Sequence, residues 1–206
     1  MMSGQTPDTP DDLFDEDEDV DLREDFPTLD AVRRFTRVAQ EIRWFSRLGE
    51  RISAEDRANA KAYVEALGFP DAEIAEVGDW SEAVIAATNL DIDTPAFDAE
   101  EQIRSALTAE ALELMDEELL TFALTHLSGS IAELVEDAAA DAALRAGYDD
   151  DETIRAAAGA AIQAAHQAAL VLAAGAEDEP APAHKFRLFE AGRWPLGLIG
   201  TTLHIF

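Results

Sequence analysis

Between Ala156 and Gly175 the chain reads AAAGAAIQAAHQAALVLAAG, a run in which eleven of twenty residues are alanine. Alanine is the strongest helix former and brings little apolar area, so such a run specifies a helix that packs by close approach rather than by filling a bulky core. The same bias extends through the molecule: hydrophobic residues make up 48% of the 206, and much of that share is alanine. A mainly helical fold is the expectation. Gln163, His166 and Gln167 interrupt the run, and large apolar side chains are sparse within it, so it reads as a soluble helix and membrane insertion is not expected.

Charge is the second constraint. The first 25 residues hold eleven acidic side chains and one basic one, Arg23, contributing −10 to a net charge of −29 and leaving −19 for the remainder. Like-charge repulsion and little apolar area leave residues 1–26 without enough burial to offset the entropy of ordering, which marks an acidic tail expected to be disordered on its own. A field of this sign repels nucleic-acid phosphates and anionic lipid, so direct nucleic-acid binding is not expected, whereas a protein partner, basic in character, is drawn in. A generally acidic proteome produces the same balance through solubility alone. The chain has no cysteine, which removes disulfides, thiolate metal sites and a cysteine nucleophile. It opens MMSGQTPDTPDD with no basic segment leading into an apolar one, and a cytoplasmic setting is the default expectation.

Periodicity divides the rest. Thr28 caps a helix over residues 28–52, on which Phe35, Val38, Ile42, Phe45 and Ile52 form an apolar face. Ser53-Ala-Glu-Asp is a capping signal for a second helix to residue 67, ended by Gly68. FPDAEIAEVGDW is a connection with a short extended piece, and Asp79 caps a helix over 80–89. A loop at 91–95 leads to a helix over 98–107, and Thr108 with Glu110 signals another start. The pattern of 109–127 breaks at Ser128-Gly129-Ser130 as a kink or turn, then resumes to Ala146, with Gly147 as C-terminal cap. The acidic start at 149–152 opens the alanine helix, which runs to about residue 174. Residues 177–184, containing EDEPAP, form a linker, and KFRLFEAGRWPLGLIGTTLHIF reads as strands over 185–190 and 198–205 joined near Ala191-Gly192. The expected organisation is a tail over 1–26, a body of five to seven helices over 27–176, the linker, and a β-hairpin over 185–206. A lone hairpin is marginal in water, so it should pack on the helices or on another subunit, which brings a homodimer into view.

Eight of the fifteen basic residues fall between Arg33 and Lys61. On one continuous helix Arg33, Arg37, Arg47 and Arg51 lie opposite the Phe35/Ile42 face with Trp44 among them, an arrangement suited to anchoring an acidic or aromatic partner. The competing expectation buries Trp44 against a second element while the arginines pair with nearby carboxylates. Trp194, in the compact turn Arg193-Trp194-Pro195-Leu196, joins the candidate partner surface, with burial against the helical body as its alternative.

Catalytic signals are weak. His126, His166, His184 and His204 show no metal-ligand spacing, and neither His126 nor His166 follows a glutamate at three residues, so no metal site is assigned. His166, between Ile162 and Leu170, reads as a partly buried, hydrogen-bonded histidine. The glutamates at 110, 113, 117, 118, 133 and 136 read as a solvated face. Asp91 and Asp93 match the start of a calcium loop, but Pro95 and Ala96 stand where a ligand and the turn glycine belong. Phosphate-binding glycine loops and a nucleophile elbow are missing, so no cofactor is assigned. These features favour a noncatalytic interaction or regulatory protein, with the acidic tail and the Arg/Trp helix as its surfaces. An enzyme or small-molecule binder with a site in a helical cleft near His166, His126 and Trp44 is the alternative, and a nucleic-acid mimic is a third.

Overall fold

A computed structural model describes residues 27–88 and 94–206. The acidic tail and the Asp91/Asp93 pair lie outside the described residues. Seven helices and a small three-stranded sheet follow one another: α1 (Pro27–Gln40), α2 (Ala54–Ala66), β1 (Glu73–Glu76), α3 (Trp80–Thr88), α4 (Pro95–Leu114), α5 (Glu117–Arg145), α6 (Asp151–Ala173), α7 (Ala181–Glu190), β2 (Pro195–Ile199) and β3 (Thr202–Ile205). The mainly helical architecture matches the sequence expectation.

The alanine helix is the axle of the larger core. Asp150 caps it, and Ala157, Ala158, Ala161, Ala164, Ala165, Ala168 and Ala169 are buried on it. Their methyl-sized side chains let α1, α4, α5 and α7 pack around α6. By length and composition α6 is apolar enough to cross a membrane, yet 61% of its most apolar window is buried inside this fold. The apolar face is therefore consumed by its neighbours. A second, smaller cluster joins Tyr63, Val64 and Leu67 of α2 and its C-terminal turn to Leu198, Leu203 and Ile205 of the sheet.

Several boundaries depart from the sequence reading. The first helix stops at Gln40, and residues 41–50 continue as a series of turns, with Phe45 at φ 55° and Gly49 at φ 72°. Thr108 starts no new helix; its hydroxyl donates to the Arg104 carbonyl at 2.8 Å, so α4 runs through it. The break comes at Met115-Asp116, where the Asp116 carboxylate accepts from Leu119 N–H at 2.8 Å and caps α5. Ser128-Gly129-Ser130 lies inside α5 with no turn, because the Ser128 hydroxyl is satisfied by the Leu124 carbonyl at 3.0 Å.

The C-terminal segment is corrected as well. Residues 181–190 are helix, with Pro182 in the first turn, so α7 begins within the expected linker. Phe186 and Phe189 face the larger core while Leu188 faces the smaller one. A helix buried on two sides shows no single apolar stripe, and its sequence alternates like a strand. The hairpin consists of β2 and β3 joined at Gly200-Thr201, with a bulge between Pro195 and Gly197. The sheet order is β1-β3-β2, with β1 parallel to β3 and β2 antiparallel to it. The extended piece expected in the 69–80 connection is this third strand, and the hairpin packs on elements of its own chain.

Candidate functional site

The end of α7 sets up the centre of the arginine-bearing region. Gly192, at φ 80°, turns the chain out of α7, and its carbonyl accepts from Arg47 N–H at 3.1 Å. A Cβ at this position would stand 2.4 Å from the Ser46 hydroxyl, so only glycine allows both the backbone turn and the approach of residues 46–47. The turn sends Arg193 inward rather than onto a protruding loop, and its side chain is 1% exposed. Its guanidinium donates to the carbonyls of Arg47, Glu50 (2.6 Å) and Arg51 (2.8 Å), and through Nε to the Asp56 carboxylate at 3.2 Å. One planar five-donor group thus satisfies three carbonyls of residues 47–51. With these carbonyls bonded sideways to Arg193, residues 47–51 are held as turns instead of the helix expected to reach residue 52.

Asp56, 2% exposed, is the other half of this arrangement. Its carboxylate accepts from Ser53 N–H at 3.0 Å while the Ser53 hydroxyl accepts from Asp56 N–H at 3.0 Å, the reciprocal capping box of α2. Arg47 approaches the same carboxylate oxygen at 3.4 Å. Burial pushes the carboxyl's pKa up, but hydrogen bonds with Ser53 and the charges of Arg193 and Arg47 outweigh it, and the pKa lies below the usual aspartate value. Sequence reading found the capping box and missed the ion pair, since nothing local links residues 56 and 193.

The residues expected to form one arginine face separate into two classes. Arg33 is buried, 6% exposed, on the core side of α1. Trp44 is 4% exposed and Trp194 is buried too, so neither tryptophan anchors a partner at the surface. Trp44 stands at 6.1 Å from Phe186 and 6.4 Å from Phe189, ring centre to ring centre. Trp194 meets Trp80 at 5.9 Å, inside a group that includes Tyr148 and Phe206 on Trp80. Once the helix ends at Gln40, angular positions beyond it no longer follow 100° per residue, and Trp44 turns inward. Arg37, Arg43 and Arg51 remain at the surface, and Arg47 is half-buried, paired with Glu50 at 3.3 Å.

The guanidinium groups of Arg37, Arg43 and Arg51 hold no hydrogen bond or ion pair among the described residues. Other cations of the region are engaged: Arg34 with Asp30 at 3.0 Å, Arg57 with the Ile74 carbonyl at 3.3 Å, and Lys61 with the carbonyls of Pro70 and Ala72. Of Arg37, Arg43 and Arg51, Arg43 lines an open groove. One part, about 660 Å³, is lined by Val38, Glu41, Ile42, Arg43, Ser46 and Arg47. It continues past Glu190 and Ala191 into a more polar part of about 540 Å³ that includes Glu55, Asn59 and Arg187. Arg187 is held by Glu179 through two hydrogen bonds.

His166 lies elsewhere, at the contact of α5 and α6, with Nδ1 3.3 Å from the Ser128 hydroxyl. The same hydroxyl also reaches the Leu124 carbonyl at 3.0 Å, so which of Ser128 and His166 donates depends on the imidazole tautomer, and the pair ties α5 and α6 together. Burial, then the charge of Arg104, holds the His166 pKa below the usual histidine value. His126 stacks on Phe122 at 6.1 Å.

The chain was compared with known protein families, curated proteins and solved structures, and it matches none of them.

Proposed function

We propose that this is a noncatalytic interaction or regulatory protein whose partner-facing surface is the cationic band of Arg37, Arg43 and Arg51 with the groove beside it, and whose partner presents acidic groups. One observation carries the reading: within residues 37–51 three exposed guanidinium groups stand without a carboxylate partner among the described residues, in a chain of net charge −29. With 44 acidic and 15 basic side chains, carboxylates are abundant enough to pair every arginine. Exposed arginines left free therefore keep five donors each for an external carboxylate or phosphate, and pairing with such groups is geometrically favourable. The rigid base supports this role. Arg193 and Asp56 clamp residues 47–56 from below, so the groove wall beside the band does not have to be ordered on binding.

The test is quantitative affinity capture at low ionic strength with the full chain and a variant carrying Arg37→Gln, Arg43→Gln and Arg51→Gln. The expected result is a set of acidic proteins held by the native chain, released by salt and missing with the variant. Identical sets from both chains would overturn the reading.

A further inference from the structure

We infer that the arginine surface has an occupant in the same chain: the segment from Leu13 to Asp19, LFDEDED, docks on it and must be displaced by an external acidic partner. The inference rests on the function proposed above and specifies how that site is regulated. Residues 33–61 carry eight basic and four acidic side chains, a local +4, directly after a segment carrying −10. Attraction between the two does not require a long reach. Arg37 stands ten residues into α1 from Pro27, roughly 15 Å along the helix axis. Asp19 precedes Pro27 by eight residues, which span roughly 26 Å when extended.

The surface matches the segment in more than charge. Val38 is 50% exposed and lines the groove with Ile42, an apolar strip beside Arg43. Leu13 and Phe14 directly precede the acidic run and fit this strip. Glu41 and Glu190 line the same groove and repel carboxylates, so the acidic run sits outside it. The register that follows places Leu13 and Phe14 on Val38 and Ile42, with Asp15 to Asp19 turned toward Arg37 and Arg43. Tethering raises the local concentration of the segment to the order of millimolar, so contacts too weak to hold a free peptide suffice.

The absence of cysteine allows a direct test in the full chain. A nitroxide placed through Thr9→Cys reports proximity as enhanced relaxation of the amide protons of residues 38–46. The expected enhancement is present at about 0.01 M ionic strength, where the screening length is about 30 Å, and falls severalfold at about 1 M, where it is about 3 Å. It also falls severalfold in the Arg37→Gln, Arg43→Gln variant, whose substituted groups have no structural partner and whose fold is checked by circular dichroism. No enhancement at low ionic strength, or one indifferent to salt and substitution, overturns the inference. A second experiment separates this failure from failure of the proposed function: a synthetic peptide of residues 11–21 is added to the full chain carrying Asp15→Asn, Glu16→Gln, Asp17→Asn, Glu18→Gln and Asp19→Asn. Peptide binding at Arg37 and Arg43 without enhancement in the native chain overturns only the intramolecular contact, leaving the acidic-partner surface standing. Absence of both overturns the two together.

Discussion

At the scale of single residues, the decisive interaction joins Asp56 to Arg193 across 137 positions of sequence. Both side chains are out of water, so removing one leaves the other as a buried unpaired charge. Arg193→Met is expected to lower unfolding free energy by about 3 to 5 kcal/mol, readable as a shift in the urea midpoint. A cost below about 1 kcal/mol would show that the pair is solvated. Asp56→Asn keeps the shape and an acceptor for Ser53 N–H while removing the charge. Because the folded-state pKa of Asp56 is depressed, its contribution is fully present above the unfolded value of about 3.9 and is lost as pH falls through the lower folded value. The stability gap between the native chain and Asp56→Asn is therefore expected to narrow from about pH 7 to about pH 3 in urea titrations. A gap independent of pH would remove the carboxylate charge from the account.

Among the elements, α6 shows how a weak hydrophobe builds a strong contact. Ala165 is fully buried where α6 meets its neighbours, so added volume has no space to enter. Ala165→Leu is expected to destabilise by about 1 to 3 kcal/mol in spite of its greater hydrophobicity, measured by chemical denaturation. A stabilised variant would mean that the helices stand farther apart than described. The elements also show where periodicity succeeds and fails. Helices α2 and α6 were legible because their caps, Ser53 with Asp56 and Asp150, are local hydrogen-bonding devices next to the residues they serve. The strand expected over 185–190 failed for the opposite reason. Phe186, Leu188 and Phe189 are all buried, in two different cores, and alternation in one dimension does not distinguish a strand from a helix packed on both sides.

For the whole molecule, a charge of −29 is a standing repulsion that compaction intensifies. Thermal midpoints are expected to rise by several degrees between about 0.01 M and about 0.15 M sodium chloride as the screening length falls from about 30 to about 8 Å. A midpoint that falls or stays constant would place the balance with attractive pairs such as Lys185 and Glu100, at 2.8 Å, rather than with the net field. The chain by itself determined the helical class, the alanine axle, the capped helix starts and the excess of arginine between residues 33 and 61, because propensity, capping and charge act between neighbours in sequence. Tertiary structure alone decided which arginines face solvent. Arg33 and Arg37 stand four residues apart on α1, yet one is buried and the other exposed; Trp44 lies past the end of α1 at Gln40 and is buried, and the carbonyls of Arg47, Glu50 and Arg51 go to Arg193 rather than to the helix expected over 28–52. That competition is between groups some 140 positions apart, and a sequence pattern records only the donors and acceptors, not which of them will meet.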